Sequence, residues 1–346
     1  MSEPLSHYRA LALQSRCDAV NGLTIDAARE RIHASIARIR GEIAASKAFI
    51  GPDLALVVLP EYFLSGFPMG EPLGAWSQLA ALAPDGEEYE ALGRIASDTN
   101  VHIAGNVYET DPHFPGLYFQ ASFIIASNGN VVLRYRRLLS MFAPSPWDVW
   151  DKYLEHYSLD GVFPVADTEL GRLAAIASEE ILYPELARTF AMRGAEVFLH
   201  STSEVGSPAL TPKDIAKRAR AFENNCWLVS ANSAAIVGTP IPANSTDGMS
   251  KIVDHQGTVL AEAGYGETMV AHAEIDLAAS RRWRQRPGMQ NMLARQRPAL
   301  FTETYGDDAG RNALLDPSGR VIVPERSHFV EAQRARIQSL TDAGVI

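Results

Sequence analysis

Apolar residues recur along this chain with two different periods, and the switches between them mark out its elements. From Ile25 to Ser46 (IDAARERIHASIARIRGEIAAS) apolar positions return every three to four residues, the spacing of one helix face. LALVVLP, ending at Pro60, is instead a continuous Val/Leu run bounded by Pro52 and Pro60, which predicts a strand buried on both faces. A short strand is predicted to begin at LALQS, near Leu11. EEYEALGRIASDTN reads as a helix and VHIAGNVYE as the strand after it. FQASFIIASNGNVVLRYRRL reads as a hairpin, because Asn128-Gly129 supplies turn residues between two apolar runs. RLAAIAS, ELARTFAMRG and EVFLHS then give strand, helix and strand, with Gly194 closing the helix. KDIAKRARAFENN and CWLVSANS repeat that order, and KIVDHQGTVLAEA predicts a second hairpin turning at Gln256-Gly257. Helices alternating with buried strands, interrupted by hairpins, make this a layered α/β protein.

Composition narrows the function classes. The 346 residues are 47% hydrophobic and 21% charged, ordinary for a globular chain with an ample core. No Pro/Gly/Ser-rich linker divides them, so one large domain over residues 1–290 is expected, followed by a C-terminal extension over 291–346 that makes oligomer contacts. A formal charge of −10 argues against a nucleic-acid surface, which needs clustered cations; RYRR and RRWRQR are only short basic runs. No apolar run reaches the length of a membrane span, and MSEPLSHYRALALQS lacks the pattern of a signal peptide. These readings predict a cytoplasmic protein with no membrane or nucleic-acid partner. Cys17 and Cys226 form no metal-binding spacing, and no metal or cofactor is expected. Cys226 opens an apolar strand, as a buried, inert thiol would.

Three stretches carry a family resemblance: LALVVLPEYFLSGFP around Glu61, GNVVLRYRRLL around Arg137, and GRLAAIASEEILYPELARTFAMRGAEVFLHSTS around Ser178. Together, and supported by ARAFENNCWLVSANSA and STDGMSKIVDHQGTVLAEAG, they resemble the nitrilase, or carbon–nitrogen hydrolase, superfamily. The resemblance implies a four-layer α-β-β-α sandwich, a homodimer or higher homo-oligomer, and a small-molecule substrate. It also implies a glutamate, a lysine and a cysteine at the three sites. Here Pro184-Glu185 and Arg188 set the register, which leaves Ser178 at the nucleophile position and Arg137 at the lysine position.

The two departures matter chemically. A cysteine attacks as its thiolate, whereas a serine hydroxyl needs a base to take its proton in the transition state. If the lost activation costs about 5 kcal/mol, the rate falls more than a thousandfold. Arginine keeps the positive charge that would support an oxyanion, but it cannot give up a proton near neutrality. Glu61 follows its apolar strand directly and matches the family's general base; without that context it reads as a cap or an ion-pair partner. Ser178 likewise follows LAAIA. Tyr62, beside Glu61, is a candidate binding residue. Glu179 reads as a carboxylate placed against a helix dipole, with a main-chain N–H that the resemblance directs at an oxyanion, and Glu180 as a structural hydrogen-bond acceptor. Asp151 and Glu155 are both candidates for a second family glutamate. The segment from Met141 to Tyr157, with Trp147 and Trp150, is either a pocket-lining loop or a packed aromatic helix. His200 is either a base for Ser178 or a satisfied structural histidine. Three functions stay open: an enzyme acting on an amide-like or nitrile-like compound without cysteine, an inactive ligand-binding relative, and an amidase engineered from cysteine to serine.

Overall fold

The computed structural model describes residues 5–207, 210–246, 248–306 and 308–346, so the first four residues of the N-terminal reading, and Asp247 within STDGMS, lie outside the described residues. The strands in chain order are β1 (His7–Ala12), β2 (Cys17–Asp18), β3 (Leu54–Glu61), β4 (Ala81–Leu82), β5 (His102–Thr110), β6 (Tyr118–Ile125), β7 (Val131–Arg136), β8 (Ala166–Thr168), β9 (Gly171–Ala177), β10 (Val197–Thr202), β11 (Trp227–Asn232), β12 (Ile236–Val237), β13 (Lys251–Val253), β14 (Val259–Glu262) and β15 (His272–Asp276). The first six helices are α1 (Ile25–Ile50), α2 (Leu73–Ala80), α3 (Glu87–Thr99), α4 (Trp150–Val162), α5 (Pro184–Met192) and α6 (Pro212–Asn224).

Two sheets are built from these strands. One runs β15-β1-β3-β5-β6-β7 with β4 added beside β5, and the other runs β14-β13-β11-β10-β9-β8. Alternation along β1 and β3 shows how they stack. Ala10, Ala12, Leu56 and Val58 join a core shared with β9, β10 and β11 of the other sheet. Leu11, Val57 and Leu59 point the opposite way, into a core with α1 and α3. Because side chains alternate across a strand, both faces of β3 are buried, one by a sheet and one by helices. Helices α5 and α6 cover the far side of the second sheet: Ala187 and Phe190 of α5 and Ala216 and Ala221 of α6 join the inter-sheet core cluster. This is the expected α-β-β-α sandwich.

The helical periodicity has its structural counterpart in α1, where Ala28, Ile32, Ile36, Ile39 and Ile43 are buried on one face. Thr24 caps its start by accepting from the Ala27 N–H at 3.3 Å. In the first hairpin Gly129 adopts φ +88°, a conformation that favours glycine, and the turn closes β6 onto β7. The first strand begins at His7, earlier than LALQS suggested, because His7–Leu11 pair with β15 far along the chain. The C-terminal extension folds back on the start of α4 and the turn before it: Asp151 N–H donates to Asn312 Oδ1 at 2.9 Å, Leu314 N–H donates to the Asp148 carbonyl at 2.9 Å, and Leu314 and Phe329 are buried. Among the described residues no helix is long and apolar enough to cross a membrane.

Candidate active site

Strand ends deliver the polar groups. β3 ends at Glu61, β9 ends one residue before Ser178, and Arg137 follows β7. All three line one cavity of about 440 Å³, together with Tyr62, Glu179 and Lys213. Its remaining wall is largely apolar, with Phe67, Met141, Phe142 and Ile241 among the contributors. A rigid sheet aiming side chains into a pocket is the usual way a fold fixes such groups.

Glu61 is 2% exposed and fully engaged. Its Oε1 accepts from Gln120 Nε2 at 2.6 Å and lies 3.5 Å from Arg137 Nη1. Its Oε2 accepts from the Ser203 N–H at 3.1 Å and the Ser203 hydroxyl at 2.9 Å. Gln120 ties the acid to the base: its Oε1 accepts from Arg137 Nη1 at 2.7 Å, while its Nε2 also donates to Asn106 at 3.0 Å. Arg137 further donates to the Leu139 carbonyl at 3.0 Å and pairs with the Glu179 carboxylate. Burial works against the Arg137 charge, but neighbours including Glu61 and Glu179 raise its affinity for the proton above the ordinary value.

Ser178 sits at φ +46° where β9 turns into a short helical turn. A non-glycine residue there carries strain of roughly 1–2 kcal/mol. Its hydroxyl accepts from Lys213 Nζ at 3.3 Å. Its carbonyl faces His200 Nε2 at 2.8 Å, and Nδ1 of the same ring lies 2.8 Å from the Ser230 hydroxyl. A carbonyl can only accept, so Nε2 carries the hydrogen and Nδ1 accepts from Ser230. Burial drives the His200 pKa well below its ordinary value, with the nearby Lys217 adding to the effect. His200 is therefore a neutral strut beneath Ser178, bonded to its main chain.

The two glutamates after Ser178 part company. Glu180 is completely buried and accepts from the Tyr135 hydroxyl at 2.7 Å and from the Leu138 and Leu139 N–H groups at 2.8 and 3.0 Å, which anchors the Arg137 loop. Burial pushes its pKa up to about 6, with Arg137 opposing the rise. Glu179 stands in the first turn after β9, where a carboxylate meets the helix dipole, and its carboxylate also pairs with Arg137. Tyr62 forms a cavity wall and stacks on Tyr108, ring centroids 5.3 Å apart.

Three candidates lie off the cavity lining, and their readings are corrected. Asp151 is exposed and bonds Arg311 and, at 2.7 Å, Asn312 of the C-terminal extension. Glu155 is exposed on α4. Trp147 donates to the Ala309 carbonyl at 2.9 Å. The next turns of α4 pack on Arg136: its guanidinium lies 5.7 Å from the Tyr153 ring and 4.8 Å from that of Tyr157. The aromatic segment is thus largely a packed helix; Met141, Phe142 and Ala143 at its start line the cavity.

Sequence reasoning missed Gln120, Ser203 and Lys213. Gln120 left a signal, a lone amide inside the apolar run YFQASFII. Ser203 follows the end of β10 as Glu61 ends β3, and Lys213 left none. As for a metal, among the described residues His33, Glu87 and Glu88 are the grouped ligand atoms, on the outer helices α1 and α3. Glu87 pairs with His33 at 3.1 Å and Glu88 with Arg29 at 3.3 Å.

The carbon-nitrogen hydrolase family model matches residues 21–285, most of the chain. This chain belongs to the carbon-nitrogen hydrolase family. A formamidase of Pseudomonas syringae pv. tomato is 27% identical over 266 residues, covering 77% of this chain and 72% of that protein. Among solved structures, a Saccharomyces cerevisiae member of branch 10 of the nitrilase superfamily superposes with a TM-score of 0.65 at 20% identity, over 82% of this chain and 96% of that one. A carbon-nitrogen hydrolase from Helicobacter pylori G27 gives 0.65 at 19% identity, over 87% and 99%. At these identities the two structures establish the shared fold of this carbon-nitrogen hydrolase.

Proposed function

We propose that this carbon-nitrogen hydrolase cleaves a small amide or nitrile at the Glu61–Arg137–Ser178 cavity, with the Ser178 hydroxyl attacking where the family uses a thiolate. The observation that carries this reading is the convergence of those three side chains on one cavity of about 440 Å³. That size suits a compact substrate. Arg137 supplies fixed positive charge to a developing oxyanion, and it cannot shuttle a proton. Glu61 and Gln120 hold that charge in place. The likeness to a formamidase makes simple amides the first class to try.

One observation favours a second reading, a ligand-binding relative without turnover: the Arg137 charge already faces Glu61 and Glu179. Product release from amides, nitriles and N-carbamoyl compounds separates the two. The protein, Ser178→Ala, and the double variant Ser178→Cys, Arg137→Lys are compared. Turnover lost in Ser178→Ala is the expected result. Turnover in the double variant alone would mean a preserved pocket with disabled chemistry and would overturn the serine mechanism.

A further inference from the structure

Ser178 needs a base, and three candidates around it differ in what they reach. His200 is committed to the Ser178 main chain by Nε2 and to Ser230 by Nδ1. Glu61 has both oxygens engaged, one by Gln120 and one by Ser203. Lys213 Nζ lies 3.3 Å from the hydroxyl oxygen itself, and among the described residues that hydroxyl is its hydrogen-bond partner. Its position is fixed by the start of α6, where Thr211 caps the helix by accepting from the Asp214 N–H at 3.1 Å and Pro212 opens the first turn. Hydroxyl and amine are thus presented by the starts of two elements, the short helical turn after β9 and the first turn of α6.

We propose that Ser178 and Lys213 form a catalytic pair in which the Lys213 amine is the general base. The inference rests on the reading of Ser178 as nucleophile. In its amine form Lys213 takes the hydroxyl proton as the Ser178 Oγ–carbon bond forms. The resulting ammonium returns that proton to the leaving nitrogen as the C–N bond breaks. Water then attacks the ester, giving its proton to the same amine, and the Oγ–carbon bond breaks as Oγ is reprotonated. Amide and water become acid and amine, with Lys213 restored. Serine–lysine pairs perform this chemistry on unrelated folds. The charged and titratable groups around the pair are Arg137, Glu61 and Glu179 on the cavity wall, His200 from β10, and Lys217 one turn along α6 with Glu204, Asp214 and Lys251 near it.

A fluorophosphonate probe tests this on the full chain without knowledge of the natural substrate: the Oγ–phosphorus bond forms as fluoride leaves. Labelling at Ser178 is followed by intact mass for the protein, Ser178→Ala, Lys213→Met, Lys213→Gln and Lys213→Arg, between about pH 6 and 10. The expected result is labelling that rises with pH, falls by about 100-fold or more in both neutral variants, and stays low in Lys213→Arg, which keeps the charge and loses the base. Labelling restored by Lys213→Arg would overturn the base assignment in favour of charge alone. Labelling of Ser178 that ignores Lys213 would overturn the pair and leave the serine reading standing. No labelling in any protein would overturn both.

Discussion

At the end of β7 two consecutive arginines go to opposite faces of one sheet, and each face uses the same guanidinium differently. Arg136, 4% exposed, lies 3.2 Å from Glu109 and 2.5 Å from Asp111, beneath the rings of Phe119, Tyr153 and Tyr157. Arg137, equally buried, meets Glu61, Glu179 and Gln120 but opens onto the cavity. One cation is enclosed by its partners; the other keeps a face toward whatever enters. The difference teaches that strand alternation, not residue type, separates a structural cation from a candidate catalytic one.

The sharpest way to break that comparison is to remove each charge. Arg136→Met leaves Glu109 and Asp111 buried without their cation, and denaturant unfolding is expected to show a loss of about 3–5 kcal/mol. Arg137→Met is expected to spare most of the stability, since Glu61 keeps Gln120 and Ser203, and to lower Ser178-dependent turnover by about 10²–10³-fold. Equal effects of the two variants on unfolding would end the distinction.

A smaller effect comes from the carboxylate beneath Arg137. Glu180 is raised by burial from 4.5 to about 6, so between those values the folded protein holds a proton that the unfolded chain has released. Stability therefore falls as pH rises through that window, by about 2 kcal/mol from this group. Unfolding curves across the window should show this slope, and Glu180→Gln should abolish it. Arg137→Met should move the upper end of the window to higher pH, because the cation opposing the rise is gone.

Smaller again is the strain at Ser178. Because φ is +46° there, Ser178→Gly should be more stable than Ser178→Ala by about 1 kcal/mol, read as a shift in the denaturation midpoint. The smallest effect is a null one at the thiols. Burial pushes Cys17 up to about 12 and Cys226 up to about 11, so iodoacetamide at pH 8 should modify neither in the folded protein. Modification of native Cys226 that also stopped turnover would return the nucleophile to a cysteine.

Local chemistry made much of the fold legible. Ile32, Ile36, Ile39 and Ile43 repeat at helical spacing whatever they pack against, and Asn128-Gly129 turns a chain by its own backbone preferences. β15 and the start of β1 were not legible, since each is a strand through pairing with the other across most of the chain. At the candidate site, Glu61, Arg137 and Ser178 were named from the family resemblance of their motifs, and the structure brings all three to one cavity. Trp147 and Asp151 misled because nothing local tells that Ala309 and Asn312 will bond them, and Glu155 because nothing local tells that it faces solvent.

By itself the sequence determined the alternation of helices and buried strands, because periodicity is a property of neighbouring residues; the four-layer order came from its resemblance to the family, not from periodicity. The tertiary structure alone decided which partner each charge meets. It put Lys213 at the Ser178 hydroxyl, His200 at the Ser178 carbonyl and Gln120 between Glu61 and Arg137. Those contacts join residues 17 to 59 positions apart, and a distance of that kind is set by how sheets stack and helices start, which local sequence does not encode.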